Sequence, residues 1–177
     1  PLNEGRGIYY TRSADDGATW SEARQVFDGA AADWSLVAQP TLAVDADGVL
    51  YVAWLRGALP IPSPSLGVYL SYSHDGGRTW SHPLTLREGD YVAPTLALSQ
   101  PGVAHALWRD AAASGAWWQR TSADGGLTWS PAVQVRGARG LNGQAAVLGD
   151  WNGSLHLLGV GLSAERNVAS GAVPTLV

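Results

Sequence analysis

Cysteine is absent from this 177-residue chain, and so are lysine and methionine. Without cysteine there is neither a disulfide framework nor a thiolate metal site. That absence leaves the compartment open, because large β domains are secreted without disulfides. No apolar run approaches the roughly 20 residues needed to span a bilayer, and no leader-like segment is visible. With no methionine and proline at position 1, the chain reads as processed or as a piece of something longer. All 11 basic residues are arginine, and the net charge of −4 gives no reason to expect nucleic acid or an anionic membrane as partner. What the chain does have is 22 Gly, 10 Pro and 9 Trp. That is the composition of many short strands and tight turns rather than of helices. The length suffices for one domain with a substantial core.

One eight-residue phrase occurs three times: SADDGATW (Ser13 to Trp20), SHDGGRTW (Ser73 to Trp80) and SADGGLTW (Ser122 to Trp129). Each is preceded by a β-prone run (GIYYTR, GVYLSY, AWWQRT) and followed by another (WSEARQVF, WSHPLTLR, WSPAVQVR). The phrase therefore joins two strands as a hairpin. Between hairpins a second pair recurs: PTLAVDADGVLYVAWLR (Pro40 to Arg56) matches PTLALSQPGVAHALWRD (Pro94 to Asp110), and Ala145 to Gly161 matches both more weakly. Each pair turns at a glycine, Gly48, Gly102 or Gly153. Tyr51, His105 and His156 share one place in the unit, as do Trp54, Trp108 and Gly159.

The unit is thus four antiparallel strands, a to d, with the phrase between c and d. Along the chain the order is c-d (residues 1–27), a-b-c-d (38–87), a-b-c-d (92–136) and a-b (143–161), with 162–177 a tail or further strand. A four-stranded antiparallel unit at this period is a propeller blade. The fold class expected is all-β, a partial β-propeller of about three blades' worth of strands. A ring closes with roughly four to eight blades, and we read this arc as part of a six-bladed one. Its open ends predict that missing blades, or self-association, complete it.

The phrase S-x-D-x-G-x-T-W resembles the Asp-box, or BNR repeat, of the sialidase-like β-propeller family, over nearly the whole chain. The residues support a structural role for it. Asp15, Asp75 and Asp124 can accept backbone N–H bonds as Asx turns do. Gly17, Gly77 and Gly126 can take positive φ. Ser13, Ser73 and Ser122, with Thr19, Thr79 and Thr128, offer hydroxyls to the same knot. Trp20, Trp80 and Trp129 are expected to pack between sheets. Each box supplies only one or two carboxylates, too few for a calcium loop, so no metal and no cofactor is expected. His105 and His156 read as packed or hydrogen-bonded strand residues rather than metal ligands. No Ser-His-Asp arrangement, phosphate loop or nucleotide fingerprint is present.

Strand direction puts the boxes and the a-b turns at one end and the long b-c and d-a links at the other. Function gathers on loops held by a rigid frame, and the resemblance also implies a binding face opposite the Asp-boxes. That face carries Gln39, Arg87, Asp90, Arg136 and, as candidate sugar-binding residues, Asp33, Trp34, Arg56, Tyr91, Arg109 and Asp110. An arginine forks onto a carboxylate, and Trp34 or Tyr91 would stack on a sugar ring. The alternative is a solvated rim with incidental ion pairs.

The resemblance further implies a sialic-acid carboxylate held by arginines, a Tyr nucleophile activated by Glu, and an Asp acid/base. Its first arginine belongs to an R-I-P motif opening strand a. Here the triplets read AQP (Ala38 to Pro40), VAP (Val92 to Pro94) and GQA (Gly143 to Ala145), so that arginine is absent from each. No complete catalytic set is identifiable. The resemblance therefore implies a glycan-related module acting outside the cell or on its surface, with a glycan or sialoglycoconjugate as partner. The rival readings are a non-catalytic scaffold for protein or carbohydrate binding, and another hydrolase or lyase on the same frame.

Overall fold

The computed structural model describes residues 6–112, 115–138, 141–150 and 152–161; the segments expected at 1–5 and 162–177 lie outside them. Every element among the described residues is a strand. The order is β1 (Gly7–Tyr10), β2 (Arg24–Asp28), β3 (Leu36–Val44), β4 (Leu50–Gly57), β5 (Gly67–Ser73), β6 (Leu84–Glu88), β7 (Tyr91–Gln100), β8 (Val103–Asp110), β9 (Trp117–Ser122), β10 (Val133–Gln134), β11 (Leu141–Gly149) and β12 (Leu155–Gly161). They form four antiparallel sheets. Sheet I is β1-β2, sheet II β3-β4-β5-β6, sheet III β7-β8-β9-β10 and sheet IV β11-β12. β10 is only two residues long, although WSPAVQVR alternates along its length.

The central strands are buried on both faces, which is why LYVAWL and AHALW read as nearly continuous apolar runs. Alternation then assigns each face to a neighbour. In β4, Val52 and Trp54 meet Ile8 and Val26 of sheet I. Tyr51, Ala53 and Leu55 of the same strand meet Leu96, Ala106 and Trp108 of sheet III. Leu107 and Trp117 of sheet III pack with Val147 of sheet IV. The sheets are therefore stacked in chain order with a core in each gap. At the outer limits Leu148, Leu158 and Val160 of sheet IV are exposed, as are Leu42 and Val44 at the outer half of sheet II, where sheet I has no strands among the described residues.

Each repeated phrase folds into the same knot. Ser73 Oγ accepts from Gly77 N at 2.9 Å and donates to Asp75 Oδ1 at 2.8 Å. Asp75 in turn accepts Thr79 N at 2.9 Å and Thr79 Oγ1 at 2.6 Å. The corresponding bonds recur around Asp15 and Asp124. The tryptophans do not behave alike. Trp80 meets Tyr10 edge-on at 5.6 Å, and Trp129 packs on the core of sheets II and III. Trp20 is instead 64% exposed, because no sheet lies outside sheet I among the described residues to receive it.

A second tie closes the other hairpins. Asp45, Ser99 and Asp150 each open a turn, and each bonds the side chain six residues on. Tyr51 OH donates to Asp45 Oδ2 at 3.1 Å, Ser99 Oγ is 2.8 Å from His105 Nε2, and His156 Nε2 is 3.4 Å from Asp150 Oδ2. This is the task of the shared position that Tyr51, His105 and His156 occupy. His105 also meets Thr121 Oγ1 and Gln119 Nε2.

These knots make stability depend on pH in two stages. Thr19 Oγ1, then Ser13 Oγ, then Thr19 N hold the Asp15 carboxyl down to about 2. Asp75 and Asp124 are lowered as well, chiefly by the hydroxyls of Thr79 and Thr128. A depressed acid stabilises the fold above its unfolded pKa and loses that contribution as pH falls through the folded one. Burial lowers His105, so the fold disfavours its protonation. Thermal melting followed by circular dichroism should therefore show a small decline below about pH 6.5 and a steeper one between about pH 4 and 2. Asp124→Asn should shrink the lower step and leave the upper. A melting temperature level down to about pH 2 would contradict the assignment.

Candidate functional site

Proline inside a strand cannot donate to the ladder and marks an edge or a bulge. Pro40 stands at the middle of β3 and Pro94 in the first half of β7, and both strands bulge there. Pairing shifts between Ala38 and Thr41, and between Val92 and Thr95. The residue before each proline is left-handed: Gln39 at φ 51 and Ala93 at φ 52. Such backbone costs a side-chain-bearing residue about 1–3 kcal/mol and persists only where its surroundings impose it. Here the two bulges are tied together, since Ala93 N donates to Gln39 Oε1 at 3.0 Å. β11 shifts register at the corresponding place, between Asn142 and Ala145.

These three first strands converge on a cleft of about 550 Å³ lined by Gln39, Pro40, Thr41, Val92 to Thr95, Arg109 and Ala145. Among the described residues lining it, Arg109 alone carries charge. Its Nη1 donates to the Asp110 carbonyl at 3.3 Å. The cleft lies beside the bulges of β3 and β7 and the end of β8, away from the hairpin knots. A smaller cleft of about 210 Å³ shares Gln39 and Val92 and continues to Ser65, Asp90 and Tyr91. Its wall is stitched: Ser65 N donates to Asp90 Oδ1 at 2.8 Å, and Tyr91 N donates to Ser65 Oγ at 2.7 Å.

The six sequence candidates do not form one constellation. Arg109 lines the larger cleft and Tyr91 the smaller. Tyr91 is only 7% exposed, edge-on to Trp108 at 6.4 Å, and its hydroxyl accepts from Arg87 Nε at 2.7 Å. Trp34 lies between Phe27 and Tyr69, each 4.5 Å away, with the Arg56 guanidinium 4.9 Å above its ring. Asp110 accepts from Trp118 Nε1 at 3.2 Å. Asp33 is exposed in the β2–β3 link with φ 54.

Two features escape sequence reasoning. Thr41 and Thr95 line the cleft without any motif to flag them, beside Pro40 and Pro94, which the triplets AQP and VAP mark. Arg87 stacks 4.0 Å from the Trp118 ring in the gap between sheets II and III. It occupies the repeat position of Phe27, seven residues after the box tryptophan, so a cation there replaces an aromatic ring. Among the described residues no group of three or more His, Asp or Glu side chains converges as a metal site, and no helix is long and apolar enough to cross a membrane.

Stacked antiparallel sheets with a recurrent hairpin knot define an all-β repeat protein. The chain belongs to the BNR repeat-like domain family, whose model matches residues 3–159. No curated protein matches the sequence. Among solved structures, a mutant of NanB sialidase from Streptococcus pneumoniae aligns at TM-score 0.55 and 19% identity over 79% of this chain and 21% of that one. The Hadza microbial sialidase Hz136 aligns at TM-score 0.38 and 21% identity, over 78% and 42% of the two chains. A protein of unknown function from Dyadobacter fermentans aligns at TM-score 0.38 and 15% identity, over 79% and 60%. This chain thus spans about a fifth of the NanB structure it matches.

Proposed function

We propose that this chain is a glycan-recognition module of the sialidase-like kind, that its sheets are successive blades of a β-propeller, and that it binds an acidic sugar without hydrolysing it. The observation that carries the reading is the cleft where the bulged first strands meet beside Arg109. The guanidinium supplies a fork for one carboxylate. Gln39, Thr41 and Thr95 supply neutral polar groups for hydroxyls. No carboxylate and no tyrosine lines this cleft among the described residues, so it holds neither a nucleophile nor an acid/base.

The half-sheets support the propeller. Sheet IV has strands in the a-b positions and sheet I in the c-d positions, and each leaves apolar side chains uncovered. Strands from elsewhere in the same polypeptide or from a second copy would complete both.

Saturation-transfer NMR with 3′-sialyllactose tests the binding. Transfer to the sialyl protons is expected, with lactose giving none and Arg109→Ala weakening it about tenfold. A fluorogenic sialoside should release no fluorophore. Equal binding of lactose, or Arg109-dependent turnover, would overturn the reading.

A further inference from the structure

The opposite end of the molecule carries a second recess that this reading does not use. Between the first and second hairpin knots lies a groove of about 460 Å³ whose lining includes Arg12, Arg24, Arg78, Trp20 and Asp75. Three of the chain's 11 basic residues meet there. Among the described residues, none of the three guanidiniums is within ion-pair distance of an acidic side chain. Asp75 keeps its negative charge, held by bonds from Ser73, Arg78 N and Thr79, so the lining sets three guanidiniums against one carboxylate. Arg12 reaches across the groove, its Nη1 3.8 Å from where a Cβ on Gly76 would sit.

The repeat contains its own control. The next junction, between the second and third knots, has the same backbone design with different side chains. Counted from the boxes, Arg12 corresponds to Tyr72, Arg24 to Leu84 and Arg78 to Leu127. There the Tyr72 ring fills the space, 3.0 Å from a Cβ position on Gly126, and His74 covers Gly125. The scaffold therefore accepts tyrosine and leucine at these positions. Folding does not require three arginines at the first junction, so their clustering needs another reason.

We propose that this groove binds a sulfated oligosaccharide, independently of the Arg109 cleft. Each guanidinium forks onto one sulfate. Single-stranded nucleic acid fits less well. Its successive bases need a series of stacking surfaces, which the lining of this groove does not supply.

The test titrates the whole chain with a fluorescent heparin hexasaccharide, with its desulfated form and with a single-stranded DNA of equal charge. Binding of the sulfated sugar alone is expected, weakening severalfold between about 50 and about 150 mM NaCl as screening increases. The triple variant Arg12→Tyr, Arg24→Leu, Arg78→Leu, which copies the second junction, should bind about tenfold more weakly with its melting temperature retained. Arg24→Gln alone, at an exposed strand start, should weaken binding measurably and serves if the triple variant does not fold. Arg109→Ala should have no effect, which separates this groove from the cleft. The proposal fails if the hexasaccharide does not bind. It also fails if the DNA binds as tightly, or if folded arginine variants bind like the parent.

Discussion

Trp108→Ala should remove about 3–5 kcal/mol of stability, the range for truncating a large buried aromatic. Its indole is wholly buried between sheets II and III, at the centre of the largest apolar cluster, with Tyr91 edge-on at 6.4 Å. Four-stranded sheets on both sides leave little room for collapse into the cavity. Trp54 holds the same repeat position one gap earlier, stacked 5.4 Å from Phe27. Its outer neighbour, sheet I, has two strands and gives way more easily, so Trp54→Ala should cost less. Urea unfolding followed by circular dichroism measures both. An equal or reversed order would show that the gaps are not differently braced. A domain with about 5–15 kcal/mol in total would be left marginal by the first change.

Gly77→Ala should be nearly as damaging, for two separable reasons. The backbone there has φ +81, which costs a residue with a Cβ about 1–2 kcal/mol. The added Cβ would also sit 2.5 Å from Cε1 of Tyr10, an overpacking that costs about 1–3 kcal/mol more. Gly17, at the same place in the first knot, has φ +89 and nothing within 4 Å of a Cβ. Gly17→Ala therefore measures the backbone part alone. In a Tyr10→Ala background the cost of Gly77→Ala should drop toward that of Gly17→Ala, with the 3.2 Å approach to Leu50 Cδ1 remaining. If all three costs are equal, the knot glycines serve only the turn and not the approach of one sheet to the next.

Much of this was legible from spacing. The three phrases located the hairpins because Ser, Asp, Gly and Thr must stand at fixed offsets for one carboxylate to gather two hydroxyls and the threonine N–H. The shared position of Tyr51, His105 and His156 was visible too, though not its bond to the turn six residues back. Trp20 shows the limit. Its phrase matches the other two, yet it is exposed where Trp80 and Trp129 are packed, because burial depends on a neighbouring sheet that no local motif encodes.

The arginines show the limit more sharply. Arg56 and Arg109 both end a second strand, and in sequence they look equivalent. The repeat aligns Arg56 with Asp110 instead, one residue out of step with Arg109. Side chains alternate between faces along a strand, so a shift of one sends Arg56 over Trp34 and leaves Arg109 in the cleft. Short-range spacing determined the strands, the turns and the knots, since those bonds close within a few residues. Which side chains share a gap or a cleft was decided only when separate sheets came together, as Gln39 and Ala93 do across 54 positions of sequence. The contacts that make a site are set by stacking, and stacking joins residues that the chain itself keeps far apart.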